Sequence, residues 1–346
     1  MMRRLNAVYI LPVLAALTML FAATHATGVA AQTKTVWRLQ NQWLPGNQLT
    51  EVVEDWAKRV TAMSGGRLEI QMLPAGSVVP LAQSLEAIKA GVLDGHVSYP
   101  TLYAGIDPGF APLGDIPGAF DSPYQLVEFW YYYGGLELMR EAYSRFNIYT
   151  IGVGTGSFEA IPSRKPLNTL ADFKGLKMRS PPGISSAIWE KLGAVPVVMP
   201  LTEVFSALEK GVIDAADNGT LSYNDQTGVY ADAKYTLINS MHSNGAFDIS
   251  VNKAKWDALP ADLRQMLELS MRDLMVRCIV RVQIDDAVVL AKAESKGLKI
   301  SELSDAEKVQ YRKLAVQAWS DWSKKSPLSE KVINAYLDYL KKTGKM

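Results

Sequence analysis

The chain carries the same junction twice. Leu85-Glu-Ala-Ile-Lys-Ala-Gly-Val-Leu-Asp94 and Ser206-Ala-Leu-Glu-Lys-Gly-Val-Ile-Asp214 each end a helical pattern in glycine. Each then passes through valine and a second apolar residue to an aspartate at the head of a strand. A glycine just past a helix adopts the left-handed backbone that releases the last turn. One α/β unit recurring in each half of the chain calls for two lobes sharing one plan. The length of 346 residues agrees, since a single small core does not grow to that size.

Strand and helix patterns alternate around both copies. Residues 35–43 alternate as a first strand, and Val52, Val53, Trp56, Ala57, Val60 and Met63 give residues 48–63 helical spacing. Gly65 and Gly66 stop that helix. Residues 67–73 form a second strand, 80–90 a second helix and 93–99 a third strand. This β-α-β-α-β order predicts a parallel, doubly wound sheet. In the second half, 175–183 reads as a short strand broken by Pro181 and Pro182, with a helix from Ile184 to Leu192. A strand at 194–199 and a helix at 201–208 follow. From Leu259 onward the pattern is helical, over 262–296, 305–322 and 329–340. The aromatic run Phe129-Trp-Tyr-Tyr-Tyr133 reads as helix core and packing between lobes.

The first residues describe an export signal. A basic start at Arg3 and Arg4 precedes an apolar run from Ala7 to Ala23 and the small-x-small site Val29-Ala30-Ala31. A retained membrane anchor is the other reading. Cleavage near Ala31 removes two arginines and no acid, leaving 34 basic against 35 acidic residues and a net charge of −1. That balance gives no electrostatic footprint for nucleic acid or for an anionic membrane surface. The lone Cys278 forms no internal disulfide and sits in an apolar helical pattern, so it reads as a buried small hydrophobe.

Catalytic signatures are scarce. His25, His96 and His242 have no metal-ligand spacing, and there is no Cys-x-x-Cys. Gly154-Thr-Gly-Ser157 lacks the glycine two residues after serine that a nucleophile elbow requires. Gly152-Val-Gly-Thr-Gly156 misplaces the third glycine of a dinucleotide loop and reads as a tight turn between lobes. The sequence thus favours binding over turnover.

The candidate binding residues follow from strand ends facing a crevice. Arg179 stands near the end of the 175–183 strand, where its planar fork matches a carboxylate in a way lysine does not; pairing with a surface acid is the alternative. Asp217 and Asn218 follow the second Gly-Val-Ile-Asp element, and Asn218 both donates and accepts. Phe158 and Glu159 precede Pro162, and Glu159 is placed to take a ligand N–H or to pair with Arg179. Tyr99 and Tyr103 follow the Asp94 strand, Trp43 ends the first strand, and Phe247 opens the strand after Gly245.

Together the motifs resemble the extracytoplasmic solute-binding subunits of TRAP transporters, the DctP-like group. The residues carrying the resemblance are Met63-Ser-Gly-Gly-Arg-Leu-Glu-Ile70 with Pro74-Ala-Gly76, Gly91-Val-Leu-Asp94, Leu170-Ala-Asp-Phe-Lys-Gly-Leu-Lys-Met-Arg-Ser-Pro181, Ala207-Leu-Glu-Lys-Gly-Val-Ile-Asp214 and Leu259-Pro-Ala-Asp-Leu-Arg264. The resemblance implies an α/β, two-lobed, periplasmic-binding-protein-like fold with doubly wound sheets, a long bridging helix and a helical C-terminus. It implies a signal peptide over 1–31, a first lobe over 32–155, a second over 156–246, and a return to the first lobe with bridging and C-terminal helices over 247–346.

It also implies that Arg179 clamps the carboxylate of a small organic acid and that Asn218 assists. The partners would be TRAP membrane subunits in the periplasm, with a monomer and a homodimer both open. Trp43 and Tyr131-Tyr-Tyr-Gly-Gly135 look most like the branch that binds 2-oxo acids and related monocarboxylates. Some members of that branch hold the acid through a cation, using a glutamine and a Glu-Trp pair. Phe158 and Asp217-Asn218 stand nearest those positions here, so no cofactor is expected, with a cation bridging the ligand as the alternative. A carboxylate at Glu159 disfavours a dicarboxylate and favours a monocarboxylate bearing an N–H or hydroxyl. An exported enzyme or a ligand-sensing interaction protein on the same scaffold are the competing functions.

Overall fold

Helix α1 (Gln48–Met63) shows how local sequence becomes architecture. The Asn47 side chain accepts from the Leu49 N–H at 2.8 Å and starts it. One face, with Val52, Val53, Trp56, Ala57 and Val60, is buried. Gly65 and Gly66 take φ of 62° and 80° and turn the chain back into strand β2 (Leu68–Leu73). The computed structural model describes residues 34–346 except Pro182 and Pro200. The expected signal peptide lies outside the described residues.

The first lobe is a five-stranded sheet of order β2-β1-β3-β10-β4. It comprises β1 (Thr35–Gln40), β2, β3 (Gly95–Ser98), β4 (Ile148–Thr155) and β10 (Ala246–Asn252). Helices α2 (Ser84–Lys89), α3 (Phe110–Gly114), α4 (Pro123–Tyr132) and α5 (Gly135–Ser144) belong to this half of the chain. The sheet is mixed: β1 and β3 are parallel, whereas β10 runs antiparallel to both β3 and β4. β10 enters after the chain's first passage through the second lobe, which explains a reversed strand that the β-α-β reading of the first half did not contain.

The second lobe is a six-stranded sheet of order β11-β9-β5-β8-β6-β7. Its strands are β5 (Ile161–Ser163), β6 (Lys177–Ser180), β7 (Val195–Val198), β8 (Ala215–Ala216), β9 (Tyr235–Ile238) and β11 (Lys299–Glu302). Helices α6 (Ile184–Lys191), α7 (Val204–Glu209) and α8 (Leu221–Gln226) lie between them in sequence. β6 is parallel to both β7 and β8. β11 pairs in parallel with β9, so the segment after 247 does not return wholly to the first lobe.

The repeated junction has one physical job in both lobes. The Asp94 N–H donates to the Arg38 carbonyl at 3.0 Å, and the Asp94 carboxylate accepts from the Arg38 N–H at 2.6 Å. The Asp214 N–H likewise donates to the Lys177 carbonyl at 2.8 Å, and its carboxylate accepts from the Lys177 N–H at 3.0 Å. Each aspartate thus fastens the head of its strand to the neighbouring parallel strand. Gly91 and Gly211, with φ of 75° and 70°, make the preceding turn.

The segments that cross between lobes include residues 156–160, residues 239–245 and helix α10 (Ala261–Ala291). After the short helix α9 (Lys253–Asp257), α10 runs 31 residues, about 46 Å at 1.5 Å per residue. Leu263, Leu267, Met271, Leu274 and Cys278 join the first-lobe core, and Val289 joins the second. Cys278 is fully buried, as its apolar pattern predicts, and burial raises its thiol pKa. Ser157, Asn239 and Met241 take φ of 143°, 49° and 60° within the two shorter crossings. Left-handed backbone at non-glycine residues is costly and concentrates where segments must bend. Helices α11 (Asp305–Ser323) and α12 (Pro327–Lys342) close the chain, α11 against α6 and α12 against α3 and α5.

The glycine run at 152–156 is not the expected turn, because β4 extends through it to Thr155. A Cβ on Gly152 would come within 2.5 Å of Met271 Cβ on α10, and one on Gly154 within 2.2 Å of Phe247 Cζ on β10. The glycines let α10 and the Phe247 ring close onto the sheet. Gly154→Ala is therefore expected to destabilise the protein by about 1–3 kcal/mol, through overpacking of a rigid ring. Gly105→Ala, with nothing within 4 Å of its added methyl, should stay within about 0.5 kcal/mol of wild type. Urea melts of the two variants check the difference.

Candidate functional site

Arg179 is the third residue of β6, flanked by Val197 of β7 and Ala216 of β8. The chain leaves the strand through Pro181 and reaches α6 by way of Gly183 at φ 133°. Arg179 is only 5% exposed, which excludes the surface-pair reading. Its Nε donates to the Met199 carbonyl at 3.1 Å and its Nη1 to the Asp217 carbonyl. These two bonds lock the guanidinium plane at the strand ends and leave Nη2 without a protein acceptor among the described residues. Burial pulls the Arg179 pKa down, against the opposing charges of Asp217 and Glu159.

Three carboxyls gather near this one cation. Burial, then the charges of Asp217 and Asp115, pushes Glu159 well above its ordinary pKa, with Arg179 opposing. Burial and the Asp217 charge lift Asp115 to about 7, although its carboxylate accepts from the Asn244 N–H at 3.3 Å. Asp217 is 2% exposed, and its Oδ2 has no hydrogen-bond partner among the described residues.

His242 completes the cluster. Its Nδ1 meets Ser240 Oγ at 2.5 Å, while its unpartnered Nε2 lies 4.0 Å from Glu159 and 3.9 Å from Asp217. Burial lowers its pKa, so the ring is held neutral against the pull of Asp217. Glu159, Asp217 and His242 offer three ligand atoms within 4.8 Å of one another, a spacing that suits a cation. Ser240 and His242 are also a hydroxyl–imidazole pair, although the sequence signalled no nucleophile with a base. Ser240 is buried and the nearest carboxylates stand too far from Nε2 to orient the ring by a hydrogen bond, so the pair lacks the geometry of a catalytic triad.

The Asn218 amide is oriented by its neighbours. Asn224 Nδ2 donates to the Ala160 and Gly219 carbonyls, each at 3.1 Å, so Asn224 Oδ1 must accept. It accepts from Asn218 Nδ2 at 2.6 Å, and Asn218 Oδ1 is left buried and unpartnered. Asn218 therefore offers the crevice an acceptor, rather than the dual role that its side chain alone permits.

The aromatic candidates divide. Tyr99 has a phenol pKa raised by burial and then by the charge of Glu159, which places it beside the carboxyl cluster. Trp43 meets Tyr99 edge-on at 5.8 Å and Phe247 at 5.1 Å, so these three rings form one wall. Trp43 lies beyond the end of β1 at Gln40, in the loop rather than the strand. Phe158 is half-buried and, with Glu159, Met241, Gln283 and Asp286, lines a cavity of about 570 Å³ at the crossings.

Tyr103 is not part of the site. Its hydroxyl meets Ser84 at 2.6 Å and Ser98 at 2.8 Å deep in the first lobe. The reason is the 3₁₀ turn Pro100–Tyr103, which swings the ring back under the sheet. The groove of about 680 Å³ between α1 and α10, lined by Trp56, Met63, Met266 and Leu269, holds none of the polar cluster.

Sequence reasoning missed Asp115, Tyr223 and His242. Tyr223, on α8, feels both Glu159 and Arg179, and its ring lies over Gly219, where a Cβ would come within 2.6 Å. Asp115 left one signal, a lone carboxylate inside the apolar stretch 110–120. His242 left another, in the polar run Ser240-Met-His-Ser-Asn244 between two apolar strands.

Known proteins agree with this architecture. A monocarboxylate 2-oxoacid-binding periplasmic protein of Nostoc is 28% identical over 282 residues, covering 80% of this chain and 76% of the relative. A TRAP periplasmic solute-binding protein of Rhodobacter sphaeroides, solved in an open state without ligand, superposes with a TM-score of 0.79 at 33% identity, covering 89% of this chain and 98% of that one. A further TRAP periplasmic solute-binding protein, from Pseudoalteromonas atlantica with bound sodium and pyruvate, gives a TM-score of 0.75 at 25% identity, covering 90% and 96%. Residues 40–325 match the bacterial extracellular solute-binding protein family 7, DctP. With two mixed sheets joined by crossing segments and a buried arginine at the strand ends between them, the chain belongs to that family.

Proposed function

We propose that the protein captures a small monocarboxylic acid outside the cytoplasmic membrane and delivers it to membrane-embedded TRAP subunits. The observation that carries this reading is the buried Arg179 fork. Two of its N–H groups fix its plane, and the Nη2 edge remains for a carboxylate. The similarity to a 2-oxoacid-binding protein and to a pyruvate-bound structure supports the same ligand class. The chain would be exported by its first residues and cleaved near Ala31. Closure follows from differential affinity: a ligand touching both lobes favours the state in which both reach it. Arg179, Asp217 and Asn218 belong to the second lobe, Tyr99, Trp43 and Phe247 to the first.

The test is a thermal-shift screen of residues 32–346 against monocarboxylates, dicarboxylates and uronates. Ligand at a hundred times its Kd adds about 2.7 kcal/mol, which moves the midpoint by roughly 5 °C in a chain of this size. No shift with any acid would overturn the assignment. The screen is run in EDTA and in calcium, because Glu159, Asp217 and His242 are where a bridging cation would sit. A shift that requires calcium would make the acid a metal-held ligand.

A further inference from the structure

We propose that the acid held by Arg179 also carries a cationic nitrogen with N–H groups, as a 2-amino acid does, and that Asp217, Glu159 and the Asn218 amide oxygen receive it. This rests on the carboxylate reading above and narrows its ligand class.

Two independent observations support the proposal. The first is charge. Arg179 stands against the charges of Asp217 and Glu159, and its fixed fork has already spent hydrogens on the carbonyls of Met199 and Asp217. A simple anion would add negative charge beside carboxyl groups that already crowd one another. A zwitterion brings none in net, because its ammonium offsets its carboxylate.

The second is hydrogen-bond polarity. Asp217 Oδ2 and Asn218 Oδ1 are buried, unpartnered acceptors on consecutive residues. The direction of the Asn218 amide is fixed by Asn224, whose Nδ2 is committed to two carbonyls. A buried acceptor left empty is costly, so the bound molecule must supply protons there. A keto oxygen supplies none and a hydroxyl supplies one. An ammonium supplies three. Asp217 also links the two ends of such a ligand: its carbonyl holds Arg179 Nη1, and its carboxylate lies one side chain away. A carboxylate on Nη2 and an ammonium on the adjacent carbon then fit neighbouring partners.

The experiment is isothermal titration of the protein, residues 32–346, with matched triples sharing one carbon skeleton. The triples are DL-alanine, DL-lactate and pyruvate, and DL-valine with its 2-hydroxy and 2-oxo counterparts, each in EDTA and in calcium. Racemates are used because the handedness of the ligand is not at issue. The expected result is that in at least one triple the amino member binds at least tenfold more tightly than both others in EDTA. Glu159→Gln and Asp217→Asn should each lower, at least tenfold, the ratio by which the amino member is preferred over its oxo partner in EDTA.

If in both triples an oxo or hydroxy member binds within tenfold of its amino partner in EDTA, or more tightly, the proposal is overturned and the carboxylate reading stands. A complete absence of binding in both triples would also overturn it, and the carboxylate reading would then be decided by the wider thermal-shift screen. The comparison within a triple needs only the wild-type protein, so it holds even if a variant fails to fold.

Discussion

Arg179→Ala is expected to lose about 2–5 kcal/mol of ligand affinity, roughly thirty-fold to several-thousand-fold, the range for deleting one partner of a desolvated, hydrogen-bonded charge pair. Part of this loss is the direct carboxylate contact. The rest comes from the site itself, since Met199 and Asp217 lose a donor to their carbonyls and the carboxyl cluster loses its counter-charge. Arg179→Lys separates charge from geometry. It keeps the charge but not the planar fork, and a compact ammonium does not bridge two carbonyls and a carboxylate together. Lysine should therefore retain the fold and still bind at least tenfold more weakly. Titration calorimetry with circular dichroism on the same samples checks both statements. Wild-type affinity in the alanine variant would remove Arg179 from the site.

Asp248→Ala should produce the largest loss of stability, about 3–5 kcal/mol, the cost of removing one member of a fully buried charged network. Asp248 lies on β10 with no exposure. Its carboxylate accepts from Tyr143 at 2.9 Å, from His96 Nε2 at 3.1 Å and from the Ser250 hydroxyl. His96 Nδ1 in turn meets Ser84 at 2.9 Å, and Ser84 meets Tyr103. Alanine would strand the Tyr143 and His96 donors in a dry interior, where an unsatisfied group pays its full desolvation, while Ser250 keeps Thr150 at 2.9 Å. Urea denaturation reads the effect, and a loss below about 1 kcal/mol would show that the network is dispensable. The network is internal to the first lobe, so variants that remain folded should bind ligand much as wild type does.

Much of the architecture was legible in the sequence because local rules and burial agree. The α1 span of 48–63 was read to the residue, since an apolar stripe and paired glycines point the same way. The Gly-Val-x-Asp repeat gave the two lobes, because each aspartate acts on the backbone beside it. The 152–156 run misled, because glycine signals a turn and a close approach equally well. Its meaning depended on Met271 and Phe247, which are distant in sequence.

The site divides on the same line. The sequence by itself determined that an arginine stands at a strand end, that an Asp-Asn pair follows the second junction, and that a carboxylate at 159 stands near them along the fold. These are properties of strands and turns, which short-range spacing encodes. Only the tertiary structure decided that Arg179 is buried, that Asp115 and His242 join it, and that Tyr103 is spent inside the first lobe. It also decided which end of the Asn218 amide is left unpartnered, through a chain of hydrogen bonds ending on the carbonyls of Ala160 and Gly219. The physical reason is that charge balance and hydrogen-bond polarity in a crevice are sums over all the segments that meet there. No single segment records that sum.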